Sequence, residues 1–177
     1  TINEGANIIS ANYRTIQGFH NPEVIINGGN FEAQVWMHTT CSADASLTIN
    51  GGTFAPRGND GSSVFLNNTN DIKLAITGGY FTTKVGCDDD TKSGVQGAIT
   101  GGTFTEAAYT GGKTKQLIAE GYAAIANGDG TYTVGVAACD INGVGYTSLE
   151  AALAAAKDGD TINIYEGTHT LPYGLGD

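Results

Sequence analysis

The chain has 177 residues, of which 40% are hydrophobic and 15% charged, and its formal net charge is −10. That length supports one domain or one and a part. The acidic balance excludes a nucleic-acid backbone as partner and disfavours an anionic membrane surface, since both need clustered Lys and Arg, and no apolar run is long enough to insert in a bilayer.

In chain order, the first signal is "TINEGANI", a worn copy of a phrase that then recurs as "VIINGGNF", "LTINGGTF", "LAITGGYF" and "GAITGGTF". Gly28, Gly51, Gly78 and Gly101 open the glycine pairs, at spacings of 23, 27 and 23 residues. Repeats of this length mean stacked units. In each copy two apolar residues alternate: Val24 and Ile26, Leu47 and Ile49, Leu74 and Ile76, with Gly97 and Ile99 the weaker copy. Period two with one apolar face is a short strand. A helix cannot use the pattern, because paired glycines and β-branched residues both disfavour it. Glycines that permit positive φ allow a sharp corner, after which Phe31, Phe54, Phe81 and Phe104 drop back inside the next face. Built once per turn, this gives a parallel β-solenoid with columns of Ile and Phe. Asn27 pairs with Asn50, and Thr77 with Thr100, in polar ladders at the corner. The longer stretch after the second motif bulges outward, returning Val64 and Leu66 to the core.

After Phe104 the pattern stops. Residues 114–120 read as one or two helical turns closed by Gly121, and "YAAIANGDGTYTV" as a hairpin around Asn127-Gly128-Asp129-Gly130. This segment caps the stack, whose bare end would otherwise expose strand edges. Next, Thr147 and Glu150 form a capping box for a helix with Leu149, Ala152, Leu153 and Ala156 on one face. Gly159 ends that helix, and a strand follows with Ile162 and Ile164 on one side. The fold class is therefore all-β: a right-handed parallel β-solenoid with a hairpin cap and a helix-led start of a second solenoid. The hand comes from the general preference of parallel crossovers. The chain divides into coils at 1–119, the cap at 120–138, and a capping helix with the first strand of a second β-helix unit at 139–177. It opens on Thr1 and reads as a mature product or an excised piece of a longer protein. The three cysteines, Cys41, Cys87 and Cys139, contain no CxxC pair and read as buried or half-buried thiols.

The motifs from Ile26 to Phe104, the stretch at 121–134 and "SLEAALAAAKDGDTINI" resemble β-solenoid modules of large surface proteins of gut Firmicutes. The last stretch is also similar to the start of the pectin-lyase-like fold. The resemblance implies a secreted, multi-module protein on a bacterial cell surface, with roles from adhesion to glycan handling. The same architecture serves phage tailspikes and virion fibres, so fold alone leaves function open.

Candidate site residues are few. A polysaccharide hydrolase needs converging carboxylates, and a lyase needs calcium and a base. The one dense acidic group is Asp88, Asp89 and Asp90, which in a loop could gather around calcium, with Lys84 or Lys92 beside it; otherwise it is a solvated loop. No matching Asp recurs one coil away, and His20, His38 and His169 have no recognisable partner. No cofactor is expected apart from that calcium. Tyr80 replaces the small residue of the other copies and should point outward, since Phe81 points in. Trp36, beside Val35, either faces outward too or fills the core at a wide coil. Outward aromatics on a flat β face can stack on sugars. The packed alternative carries more weight, because large aromatics are generally buried. The chain thus reads as a non-catalytic display module with weak glycan contact through Trp36 and Tyr80, its partners being other modules of the same long chain, glycans or a host surface. The alternatives are a virion fibre component, homotrimeric in that case, and a fragment of a polysaccharide-degrading enzyme.

Overall fold

Alternating apolar residues, a glycine corner and an inward phenylalanine produce the same three short strands in turn after turn. In a computed structural model that describes residues 1–10, 13–57, 61–66, 72–86 and 96–171, the chain forms a parallel β-solenoid of about five turns. The first turn contributes Asn7–Ile8 (β1) and Arg14–Gly18 (β2). The second holds Glu23–Ile26 (β3), Asn30–Phe31 (β4) and Gln34–Met37 (β5), and the third Ser46–Ile49 (β6), Thr53–Phe54 (β7) and Ser62–Leu66 (β8). The fourth holds Lys73–Ile76 (β9), Tyr80–Phe81 (β10) and Lys84–Gly86 (β11), and the last Gln96–Ile99 (β12) and Thr103–Thr105 (β13). Three faces result. Strands β3, β6, β9 and β12 make one; β2, β5, β8 and β11 a second; and β1, β4, β7, β10 and β13 begin a third, ten-stranded sheet.

The expected columns form. Ile26, Ile49, Ile76 and Ile99 pair in register and are fully buried. Phe31, Phe54, Phe81 and Phe104 stack with centroids 4.7, 4.8 and 4.8 Å apart and planes within 10°. Val64 and Leu66 return to this core. The opening phrase is indeed a further turn, for Ile2 bridges to Ile26 and Asn7 and Ile8 pair with Asn30 and Phe31.

The two glycines of each corner do different work. The second of each pair, Gly29, Gly52, Gly79 and Gly102, lies at φ between +98° and +108°, where a side chain is strained. The first does not. A Cβ on Gly51, Gly78 or Gly101 would instead sit 2.8, 2.3 or 2.0 Å from the carbonyl oxygen of Asn27, Asn50 or Thr77 in the turn below. Close approach of successive turns, rather than positive φ, demands glycine there.

The corner ladder runs further than expected on one side and stops short on the other. Asn27 donates to Asn3 Oδ1 at 3.0 Å, Asn50 to Asn27 Oδ1 at 2.9 Å, and Thr77 Oγ1 to Asn50 Oδ1 at 2.9 Å. Thr100 does not bond Thr77; its hydroxyl donates to the Ile76 carbonyl at 3.5 Å. A carboxamide reaches the turns on both sides, whereas the threonine hydroxyl has a shorter reach and a single proton, and Thr100 gives that proton to the Ile76 carbonyl.

The last turn is closed by two devices. Glu106–Thr110 (α1), which the repeat gave no sign of, is capped by Thr105 and buries Ala108 and Tyr109 in the core. Beyond it, only Lys115–Leu117 of the expected helix at 114–120 is helical, as one 3₁₀ turn. Thr114 explains why: it is fully buried, and its hydroxyl accepts from Val85 N at 3.0 Å and donates to Val85 O at 3.3 Å. It thereby satisfies the free edge of β11. Ala119 N likewise donates to Ile99 O at the edge of β12. The hairpin Tyr122–Ala126 (β14) and Thr131–Val136 (β15) then pairs antiparallel with β13, setting Tyr132 opposite Phe104. Cys139–Ile141 (β16) and Val144–Tyr146 (β17) extend the sheet, β17 parallel to β14. Leu149–Ala155 (α2) packs Leu149 and Ala152 on Cys139 and Ile141, and Ile162–Ile164 (β18) closes the sheet antiparallel to β16. The helix cap is Ser148, not Thr147: Ser148 Oγ accepts from Ala151 N at 3.1 Å. Helix α2 ends before Gly159, at Ala156, which turns extended.

Candidate functional site

Strand β5 alternates, so Val35 and Met37 enter the core and Trp36 stands on the outer face of its sheet. The same outer row holds Gln17, Phe65 and Gly86, in register with Trp36. Trp36 is nevertheless only 7% exposed. It is neither a bare stacking surface nor a core filler, because three side chains cover it from outside. The Arg14 guanidinium lies 3.4 Å from the ring centroid. His38 meets it edge-on at 4.6 Å and Phe19 at 6.2 Å, and Phe19 and His38 contact each other at 4.8 Å. His38 is held in turn by the Thr40 backbone N–H, which donates to Nδ1 at 3.2 Å.

Arg14 reaches this face through an irregularity. Ile16 points into the core and Gln17 outward, so strict alternation would turn Arg14 inward. A bulge between Arg14 and Ile16, pinned by Thr15 Oγ1 donating to Ala33 O at 3.1 Å, returns it to the outside. Two features of the cluster are unusual. Trp36 Nε1 is buried and lacks a hydrogen-bond partner among the described residues, a state that costs about 1–3 kcal/mol. Among the described residues Arg14 has no acidic partner, and the ion pair there is Arg57 with Glu32, at 2.5 Å.

Tyr80 is 38% exposed and points outward between Thr53 and Thr103, with Phe81 inward, as expected. It lies on the ten-stranded sheet and Trp36 on another, so the two aromatics do not form one site. Asp88, Asp89 and Asp90 lie outside the described residues, as does Cys87. Among the described residues no three His, Cys, Asp or Glu side chains gather within reach of one metal ion. Cys41 and Cys139 are buried thiols whose pKa values burial pushes up.

A second polar cluster, which sequence reasoning missed, joins the closing segment of the last turn to the C-terminal unit. Asp140 is 5% exposed. Its carboxylate accepts from Tyr165 Oη at 2.7 Å, Gly143 N at 2.8 Å and Asn163 Nδ2 at 3.2 Å. Tyr109 Oη donates to Gly143 O nearby, and Lys115 Nζ lies 4.6 Å over the Tyr109 ring. Burial pushes Asp140 upward, but the three donors together outweigh it and hold the carboxyl below its usual value. Burial, then the bond to Asp140, pushes Tyr165 up to about 12. A carboxylate with a depressed folded pKa adds stability that is complete above its unfolded pKa, about 3.9, and lost as pH falls through the folded value. Asp140→Asn should therefore flatten the acid limb of a urea-midpoint profile taken between pH 2.5 and 7. Parallel acid limbs for variant and parent would show that this carboxylate does not carry the effect.

Compared with known proteins, the chain matches no family profile, no curated sequence and no solved structure.

Proposed function

We propose that the chain is a non-catalytic, rigid spacer or display module of a larger secreted or cell-surface protein, touching glycans through its lateral faces. The observation that carries this reading is the unbroken registration of like side chains. Ile over Ile, Phe over Phe and glycine corner over glycine corner tie each turn to the next with backbone hydrogen bonds of 2.8 Å at Asn30, Thr53, Tyr80 and Thr103. Such a stack is stiff along its axis and leaves the outward positions free to vary. On those positions the chain carries neutral amides and hydroxyls, with aromatics at Tyr80 and around Trp36, a composition suited to sugar contacts.

Sedimentation of the purified chain should give a monomer, and a glycan array should report weak binding that falls in Tyr80→Ala with the circular dichroism spectrum unchanged. A stable trimer would move the reading to a virion fibre. Turnover of a polysaccharide would replace the display role with an enzymatic one.

A further inference from the structure

Arg14, Phe19, Trp36 and His38 come from two successive turns, and none of them belongs to the repeat. The solenoid does not need them: the core beneath is filled by Ile16, Val35, Met37 and Val64. The cluster is built all the same. A bulge aims Arg14, the Trp36 ring fixes its guanidinium from one side at 3.4 Å, and His38 and Phe19 brace that ring. Stacking leaves the in-plane N–H fork of an arginine free, and that fork matches the two oxygens of a carboxylate. Arg14 is exposed, and no acidic side chain of the described residues occupies it, in a chain whose net charge is −10. Exposed apolar surface flanks the Trp36 ring in Phe19, 45% exposed, and Gln17, in register with Trp36, presents an exposed amide. The unpartnered Trp36 Nε1 is a further donor, on a side chain more than nine-tenths buried.

We propose that this outer face binds a carboxylate-bearing sugar. The carboxylate takes the Arg14 fork, and a ring or hydroxyl oxygen accepts from Trp36 Nε1 as Phe19 turns aside to flank the C–H face of the ring. A sugar fits better than an acidic peptide because the site presents one cation amid aromatic and amide groups, not a row of cations. The inference rests on the reading of the chain as a glycan-touching module and sharpens it.

Trp36 is the single tryptophan of the chain, so its fluorescence reports the site directly. Titration with 3′-sialyllactose and with a glucuronate-containing oligosaccharide should give a saturable intensity change for at least one of them, identifying the acid as ulosonic or uronic. Lactose should give none at tenfold higher concentration. Arg14→Lys, which keeps the charge but loses the planar fork, should weaken the response about tenfold, and Arg14→Met should abolish it. Equal responses to lactose and the acidic sugars, or an unchanged titration in Arg14→Met, would overturn the carboxylate site while leaving glycan contact intact. Silence toward every sugar here, together with a blank glycan array, would overturn both. Arg14 is exposed, and an unchanged spectrum in its variants secures the comparison.

Discussion

Gly101→Ala should destabilise the chain by about 4 kcal/mol, at the diagnostic end of single-substitution effects. Its Cβ would stand 2.0 Å from the Thr77 carbonyl oxygen, a backbone atom one turn below that is locked in its own strand corner. Nothing flexible can move aside, so two turns must separate or the corner must rebuild. The same substitution at Gly78 and Gly51, with closest approaches of 2.3 and 2.8 Å, should cost progressively less. At Gly79, where the problem is a φ of +107°, the cost should be about 1–3 kcal/mol. Gly135, which has nothing within 4 Å of its hypothetical Cβ and no positive φ, should accept alanine within about 0.5 kcal/mol. Urea unfolding of the series measures all of this. A Gly101→Ala protein as stable as its parent, or an order unrelated to those distances, would mean that the turns are not held at this separation.

Phe81→Ala should cost about 4–5 kcal/mol, from lost burial and an unfilled cavity in a close-packed column. Phe81 is sandwiched between Phe54 and Phe104, each 4.8 Å away and nearly parallel. Phe31, at the N-terminal end of the stack, touches one ring among the described residues, Phe54 at 4.7 Å, and faces Ile8 on the other side. Ring–ring contact adds about 0.5–1.5 kcal/mol beyond area, so Phe31→Ala should cost about 1 kcal/mol less than Phe81→Ala. A double-mutant cycle with Phe54→Leu and Phe81→Leu should show coupling of about 1 kcal/mol. Strict additivity in that cycle, with equal costs for Phe31 and Phe81, would show four separate core residues and no column. Because each turn touches only its neighbours, loss of a central ring should also broaden the unfolding transition more than loss of an end ring.

Much of the fold was legible because the repeat is written in local, periodic terms. Val24 and Ile26, the glycine pair and Phe31 specify one strand, corner and inward ring, and repetition at nearly constant spacing specifies stacking. The failures share a different origin. Thr77 and Thr100 looked equivalent, but Thr77 has an asparagine below it and Thr100 a threonine. Thr147 and Ser148 are adjacent cap candidates with identical chemistry, and the packing of Leu149 and Ala152 on Cys139 and Ile141 chose between them. Residues 106–118 carry no repeat, and their shape follows from the edge they must close, as Thr114 does for Val85.

By itself, then, the sequence determined the coil, its register and its core, since side chains recurring at one spacing bury together only when turn lies over turn. Tertiary structure alone decided the rest. The bulge that carries Arg14 across Trp36 and the cover by Phe19 join unlike residues of two turns, and Asn163 and Tyr165 reach Asp140 from a stretch more than twenty residues on. No period encodes such contacts; they exist only once the backbone brings those segments within a few ångströms of each other.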